Sequence, residues 1–257
     1  MLNLVSKKLF AKLSTFFIFF ILLIPILLSQ DEFSFENNYL YLLKNYTIIQ
    51  VKDNVRSRLV NYTKWGSDPR HKTIISYIVN KKIIDLSKNE KLAFWINAYN
   101  ILTIDLIIKT GEKQSIKNQG SLLNNVWKKF TWRIDNNIFT LHKIEHEILR
   151  EYGDPRIHFA INCASLSCPD LHDEVFIAEK IDMQLENVTS KFLKNNSKGL
   201  RFKEGQYYLS KIFKWFSNDF GGNKNIGQFV ENYLPEVKKI RFSGYIEYNW
   251  NLNVTFF

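Results

Sequence analysis

KLAFWINAYNILTIDLIIK, Lys91 to Lys109, decides the fold. Drawn as a helix, it carries Leu92, Phe94, Trp95, Ala98, Ile101, Leu102 and Leu106 on nearly every side. A helix without a polar face is buried all round, so this one belongs in the middle of a domain. Its start is marked by Ser87-Lys88-Asn89-Glu90, a capping box in which the Ser87 hydroxyl and the Glu90 carboxylate each satisfy an orphan amide. Asn97, Asn100 and Asp105 interrupt the apolar surface. A buried polar group left unpaired costs ~1–3 kcal/mol. Each of the three therefore needs a partner, in a loop that it braces or in a site that it serves.

Outward from this helix the chain mixes helical and extended signals. RHKTIISYIVNK, residues 70 to 81, reads as a short helix. Phe130 to Ile134 and Ile138-Phe139, joined by Asp135-Asn136-Asn137, read as a hairpin, and Thr140 caps a helix from Leu141 with Leu141, Ile144, Ile148 and Leu149 as its buried stripe. Ile157 to Asn162 alternates as a strand would, with His158, Ala160 and Asn162 on one face. Further on come a helix at 177 to 194, a hairpin through 200 to 202 and 207 to 209, helices at 210 to 219 and 226 to 234, and extended stretches at 239 to 242 and 245 to 248. The expected fold is α+β: a single domain over residues 30 to 257, with a central buried helix packed against a partly antiparallel sheet.

Before residue 30 the pattern changes. Lys7, Lys8 and Lys12 precede FFIFFILLIPILL, Phe16 to Leu28, a basic region followed by a short apolar run. Thirteen apolar residues fall short of the ~17–25 that span a bilayer. Residues 1 to 29 therefore read as a signal peptide cleaved near Ser29/Gln30, or as an N-terminal anchor if the segment is retained. The expected location is exported, periplasmic or extracellular, with contact to a membrane only through this segment. The formal charge of +10 includes its three lysines, which leaves +7 scattered as singles and doublets such as Lys81-Lys82 and Lys128-Lys129. Such scatter gives no phosphate-tracking face, so nucleic acid is not an expected partner.

Chemistry is concentrated in HFAINCASLSCPDL, His158 to Leu171, which holds both cysteines of the chain. Cys163 and Cys168 can form a structural or redox pair, and export would favour a disulfide. A bridge over so short a loop adds less than the usual ~2–4 kcal/mol. Alternatively, backbone amides at the turn lower the Cys163 pKa and a histidine completes an activated thiol. His142-Lys143-Ile144-Glu145-His146 matches H-x-x-E-H, the zinc motif of inverted zincins, though only three of its positions are fixed.

Four blocks occur in order: FWINAYN (Phe94 to Asn100), IEHEILR (Ile144 to Arg150), DPRIHFAINCASLSCPDL (Asp154 to Leu171) and YIEYNWNLN (Tyr245 to Asn253). Together they resemble the family called domain of unknown function 547. VNYTKW, Val60 to Trp65, is similar to its opening block, with Asn61, like Asn249 in the last block, where an aspartate is usual. The resemblance covers about residues 55 to 253 and brings no substrate with it. It implies an exported bacterial type of member; other members form parts of larger eukaryotic proteins, sometimes beside a glutaredoxin domain. Glu145, His146, Arg150, His158, Asn162, Cys163, Ser165, Cys168 and Pro169 match family positions, as do Asn97 and Asn100. His142 falls where the family more often has an acidic residue, so the zinc match is read as accidental and no metal or cofactor is expected.

Two functions from different classes follow. One is a cysteine-dependent hydrolase or acyltransferase acting on a small molecule or peptide, with Cys163 as nucleophile and His146 as preferred base. In that reading His158 is the alternative base, and Asn97 or Asn162 orients the base better than Glu145, which points some 100° away on the same helix. The other is a binding or scaffold domain with structural cysteines. Thiol-disulfide exchange between Cys163 and Cys168 is a third route.

Overall fold

In a computed structural model, residues 34–120 and 125–257 are described; the segment expected to be a signal or anchor lies outside them. The chain opens with α1 (Phe35–Tyr46), the hairpin β1 (Thr47–Lys52) and β2 (Val55–Val60), α2 (Tyr62–Ser67) and α3 (Pro69–Asn80). The long helix α4 runs Lys88–Thr110, and α5 (Val126–Lys129) and the hairpin β3 (Trp132–Ile134) and β4 (Asn137–Phe139) follow it. Next, α6 (Leu141–Lys143) widens into a π-turn over Ile144–Leu149, and α7 spans Ile157–Ala160. The last third holds α8 (Ile181–Leu193), β5 (Leu200–Lys203), β6 (Gln206–Leu209), α9 (Lys211–Trp215), α10 (Asn223–Glu231) and β7 (Arg241–Tyr245).

The class is α+β, organised round α4. Its capping box is formed: the Ser87 amide donates to Glu90 Oε2 at 2.8 Å and the Glu90 amide to Ser87 Oγ at 3.4 Å. Gly111 ends it at φ 64°, a left-handed conformation that glycine adopts without a Cβ clash. Every residue from Leu92 to Ile107 is buried. Length and composition alone would let α4 cross a membrane, but protein covers it on all sides.

The three polar interruptions tie this helix to three separate segments. Asn97 donates to Phe176 O at 2.8 Å and accepts from the Phe176 amide. Asn100 donates to Ala160 O at 2.9 Å and accepts from the Asn162 amide at 2.7 Å. Asp105 takes Trp132 Nε1 at 2.8 Å, with His71 and Lys109 beside it. A charge or amide at these positions fixes how each segment meets the helix, which apolar contacts alone leave free to slide.

Among the described residues the strands lie in three small sheets rather than one. Their three hairpins share one device: Asp53-Asn54, Asp135-Asn136 and Glu204-Gly205 each place two consecutive residues at positive φ. That turn matches the right-handed twist of the strands it joins. In the three-stranded sheet β5 and β6 are antiparallel, and β7 adds to β6 in parallel.

Two expected extended segments are otherwise. Ile157–Ala160 is a helical turn, because Asp154 Oδ1 accepts from the Arg156 amide at 2.9 Å and starts it. Ile157 to Asn162 is buried throughout, so its alternation marked no exposed face. Residues 246 to 248 are irregular after β7.

Candidate functional site

Cys163 sits where the chain leaves α7 and turns sharply. The next residue, Ala164, has φ 63°, a region that is strained for a residue with a Cβ. Asn162 holds the turn from inside: its Oδ1 accepts from the Ala164 amide at 2.8 Å and its Nδ2 donates to Pro169 O at 2.6 Å. The stretch Asn249–Asn253 clasps it from outside. The Leu166 amide donates to Asn251 O at 2.8 Å, the Asn253 amide to Ala164 O at 3.0 Å and the Asn249 amide to Ser167 Oγ at 2.8 Å. Beneath the turn the buried Lys198 ammonium donates to Cys168 O at 2.7 Å, Asp170 Oδ1 at 2.7 Å, Ser57 Oγ at 3.0 Å and Leu166 O at 3.4 Å.

Both cysteines are free thiols. Cys163 Sγ lies 3.1 Å from Ser165 Oγ and 3.4 Å from the Tyr248 hydroxyl, and Cys168 Sγ accepts from the Cys163 amide at 2.7 Å. Burial pushes the Cys163 thiol up. Hydrogen bonds to its sulfur from Cys168, Ser165, Tyr248 and the Ser165 amide outweigh burial and bring it down to about 6. Cys168 moves the other way, raised by burial and by the neighbouring sulfur.

Cys163 faces a cavity of about 170 Å³ whose other walls hold Glu145, His146 and His158. The π-turn explains how Glu145 and His146, adjacent in sequence, both line it. The wider turn breaks the helical spacing that would have separated them, and such turns recur at functional sites. Trp127, Trp215, Phe216, Tyr248 and Trp250 make the cavity aromatic.

Tyr99 donates to Glu145 Oε2 at 3.0 Å. Burial nevertheless dominates and pushes the Glu145 carboxyl up to about 7. A carboxyl raised in the folded state gives stability that is full below its ordinary value of ~4.3 and is lost as pH rises through 7. Relative to its effect at pH 4, Glu145→Gln is therefore expected to stabilise the protein at pH 8 by on the order of 3 kcal/mol. Urea denaturation of both proteins at the two pH values measures this double difference; an unchanged difference excludes a buried, titrating Glu145.

The histidines are differently engaged from a base poised on sulfur. Arg150 Nη1 donates to His146 Nδ1 at 3.0 Å, which puts the ring proton on Nε2, and burial first, then His142 and Arg150, lowers its pKa to about 4. His158 Nε2 donates to Asp219 Oδ2 at 2.7 Å. Its ring stacks on Phe216 at 4.1 Å, and burial lowers its pKa to about 4 against the pull of Asp219. Asp219 also receives Arg150 Nε and Nη2, both at 2.6 Å, and these bonds hold its carboxyl below the ordinary range. His142 and His146 lie with ring centroids 4.3 Å apart, but the Arg150 cation on Nδ1 of His146 opposes a metal ion there.

Cys163, Cys168, Glu145, His146 and His158 are thus brought together. Asn97 is not: it braces Phe176. Asn162 shapes the turn rather than orienting a histidine. Among the described residues the hydrogen-bond partners of Cys163 Sγ are Ser165, Tyr248 and Cys168, not a histidine. Tyr248, Tyr99, Asp219 and Lys198 were not picked out from the sequence. The block Tyr245 to Asn253 was a signal for Tyr248, whereas nothing near Lys198 or Asp219 distinguishes them from surface charges.

No curated protein and no solved structure matches the chain. Residues 83–193 match the family model described as "Protein of unknown function, DUF547". That stretch holds α4, Glu145 and the whole cysteine turn, and over it the chain carries the DUF547 pattern.

Proposed function

We propose that the protein is a cysteine-dependent acyl-transfer enzyme, a hydrolase or acyltransferase, with Cys163 as nucleophile. The observation that carries this reading is the sulfur's surroundings: the hydroxyls of Ser165 and Tyr248 at 3.1 and 3.4 Å, themselves linked by a bond from Ser165 to Tyr248 at 3.2 Å, on a turn with a left-handed Ala164, facing an aromatic cavity. Strained backbone beside a reactive group is a recurring mark of functional sites. A thiolate already present needs no base to attack. It adds to the carbonyl carbon of an ester, thioester or amide, forming a C–S bond as the carbonyl π pair moves to oxygen. Ser165 and Tyr248, released from the sulfur as its charge disappears, would then donate to that oxygen. When the tetrahedral adduct collapses the bond to the leaving group breaks, and protonated Glu145, with its pKa about 7, supplies the proton. As carboxylate it then takes a proton from the water or acceptor alcohol that attacks the thioester; as the second tetrahedral adduct collapses the C–S bond breaks, the acid or new ester leaves and the Cys163 thiolate is restored. His146 presents Nε2–H as a further donor. Export is part of this reading, supported by the basic and apolar segment before residue 30.

The test is incubation with p-nitrophenyl esters of short acyl acids, followed by intact-mass and peptide mapping. An acyl adduct on Cys163, absent from Cys163→Ala and slower to form in Tyr248→Phe, is expected. Absence of any Cys163 adduct, or a Cys163–Cys168 disulfide in active protein purified without reductant, overturns the proposal.

A further inference from the structure

A second cavity, about 410 Å³, is lined in part by Asp170 to Asp173, the segment that follows the cysteine turn. It is more than twice the size of the first and within the ~300–1,000 Å³ typical of small-molecule sites. Ile49, Leu171, Val188 and Phe192 give it an apolar wall, and Arg56, Arg58, Lys191 and Lys194 give it charge.

The charges are not balanced within the protein. Asp170 is already spent, since its Oδ1 takes Lys198 Nζ at 2.7 Å, the Arg58 amide at 2.6 Å and the Ser57 hydroxyl at 3.1 Å. That leaves Asp173 against four cations, and it is shared by Lys191 at 3.4 Å and Arg58 Nη2 at 3.9 Å. Among the described residues the side chains of Arg56 and Lys194 have no ion-pair partner, which leaves a surplus of three positive charges.

Arg58 is the telling residue. Its Nη1 donates to Thr47 Oγ1 at 3.0 Å, whereas its Nε is buried with no hydrogen-bond partner, and Nη2 lies beyond hydrogen-bond range of Asp173. The Nε–Nη2 edge is the fork that Arg150 uses on Asp219 in this same protein, with both bonds at 2.6 Å. A guanidinium held by its other nitrogen in a cavity wall keeps that fork unspent, and a turn of the side chain that brings the buried Nε toward the cavity would let it take a bidentate oxyanion. A buried unsatisfied donor otherwise costs about 1–3 kcal/mol with nothing gained.

We propose that this cavity binds a small amphiphilic anion, a carboxylate or phosphate monoester on an aliphatic body. The head is taken by the Nε–Nη2 edge of Arg58, with Arg56 and Lys194 adding charge at the rim, and the body lies along Leu171, Val188 and Phe192.

Isothermal titration of the full chain with decanoate and decyl phosphate, below their micelle concentrations, tests it. Both are expected to bind. Arg58→Gln and Arg58→Lys are each expected to weaken binding at least tenfold, since lysine keeps the charge but lacks the fork. The rim variant Lys194→Glu, which alters only an exposed side chain, is expected to weaken it severalfold, with circular dichroism confirming that each variant is folded. Decyltrimethylammonium and inorganic phosphate are expected to bind at least tenfold more weakly than decanoate. Phosphatidylglycerol vesicles, whose chains stay in the bilayer, are expected not to compete. Binding of decanoate within twofold of the parent protein in both Arg58→Lys and Lys194→Glu overturns the proposal. So does equal binding of the cation or of inorganic phosphate, or displacement of decanoate by the vesicles.

Discussion

Limiting iodoacetamide, added to the native protein at pH 7, alkylates Cys163 and spares Cys168. With its pKa about 6, Cys163 is about nine-tenths thiolate at that pH. Cys168 is raised above the ordinary thiol range by burial and by the neighbouring sulfur, so it stays protonated. Ionisation therefore favours Cys163, and burial of Cys168 adds to the preference. Absolute speed is a poorer guide. A thiolate of lower pKa is intrinsically less nucleophilic, with a Brønsted slope of about 0.4–0.5, so much of the gain over a free thiol cancels. The pH profile is the sharper readout. A pKa lowered in the folded protein keeps the reactive form present down to pH 6, where an ordinary thiol has fallen about tenfold per pH unit. The labelling rate is expected to reach half its plateau near pH 6, and in Tyr248→Phe, with one donor removed, at a higher pH. A midpoint near 8.5, or labelling of Cys168 first, would sink the activated-thiol assignment.

Lys198→Met is expected to destabilise the protein by about 3 kcal/mol or more, out of a total of ~5–15 kcal/mol. The side chain of Lys198 is fully buried and its ammonium touches four acceptors. Methionine fills similar space without a donor, so the loss is electrostatic rather than a cavity. Removing one member of a buried ion pair costs about 3–5 kcal/mol, because the other charge is left behind. Asp170 softens this: its side chain is 27% exposed and keeps the Ser57 and Arg58 donors. The carbonyls of Cys168 and Leu166 lose their shared donor as well, at about 1–3 kcal/mol. Urea denaturation with an unchanged m-value measures the effect. The same variant loosens the floor of the cysteine turn, so its Cys163 labelling midpoint is expected to rise. A loss below about 1 kcal/mol, with the midpoint fixed, would show that Lys198 supports neither the fold nor the turn.

The central helix was legible because two independent signals agreed, its capping box and an apolar surface with no polar face. The second and third hairpins were legible for the same reason, with Asp-Asn or Glu-Gly turns between short apolar runs. Ile157 to Asn162 misled because period-two alternation identifies a strand only when one face meets water, and here neither does. At the site, the grouping of Cys163, Glu145, His146 and His158 could be read from short blocks that stand apart in sequence. The partners of Cys163 could not, because Tyr248 reaches the sulfur across 85 residues and local spacing says nothing about such a contact. An ideal helix places Glu145 some 100° from His146, and the π-turn that brings both to the cavity has no sequence signature of its own.

The clasp of Asn249–Asn253 over the cysteine turn bears on how the protein is made. Ribosomes build chains from the N-terminus at about 5–20 residues per second, so Cys163 emerges well before Tyr248 and the strand-like stretch that follows it. Until that stretch docks, the thiol lacks one of its donors and Ala164 lacks the hydrogen bond that fixes its carbonyl. Under the proposed function, the nascent cysteine would gain its reactive surroundings only when synthesis has passed residue 253, a delay between translation and chemistry.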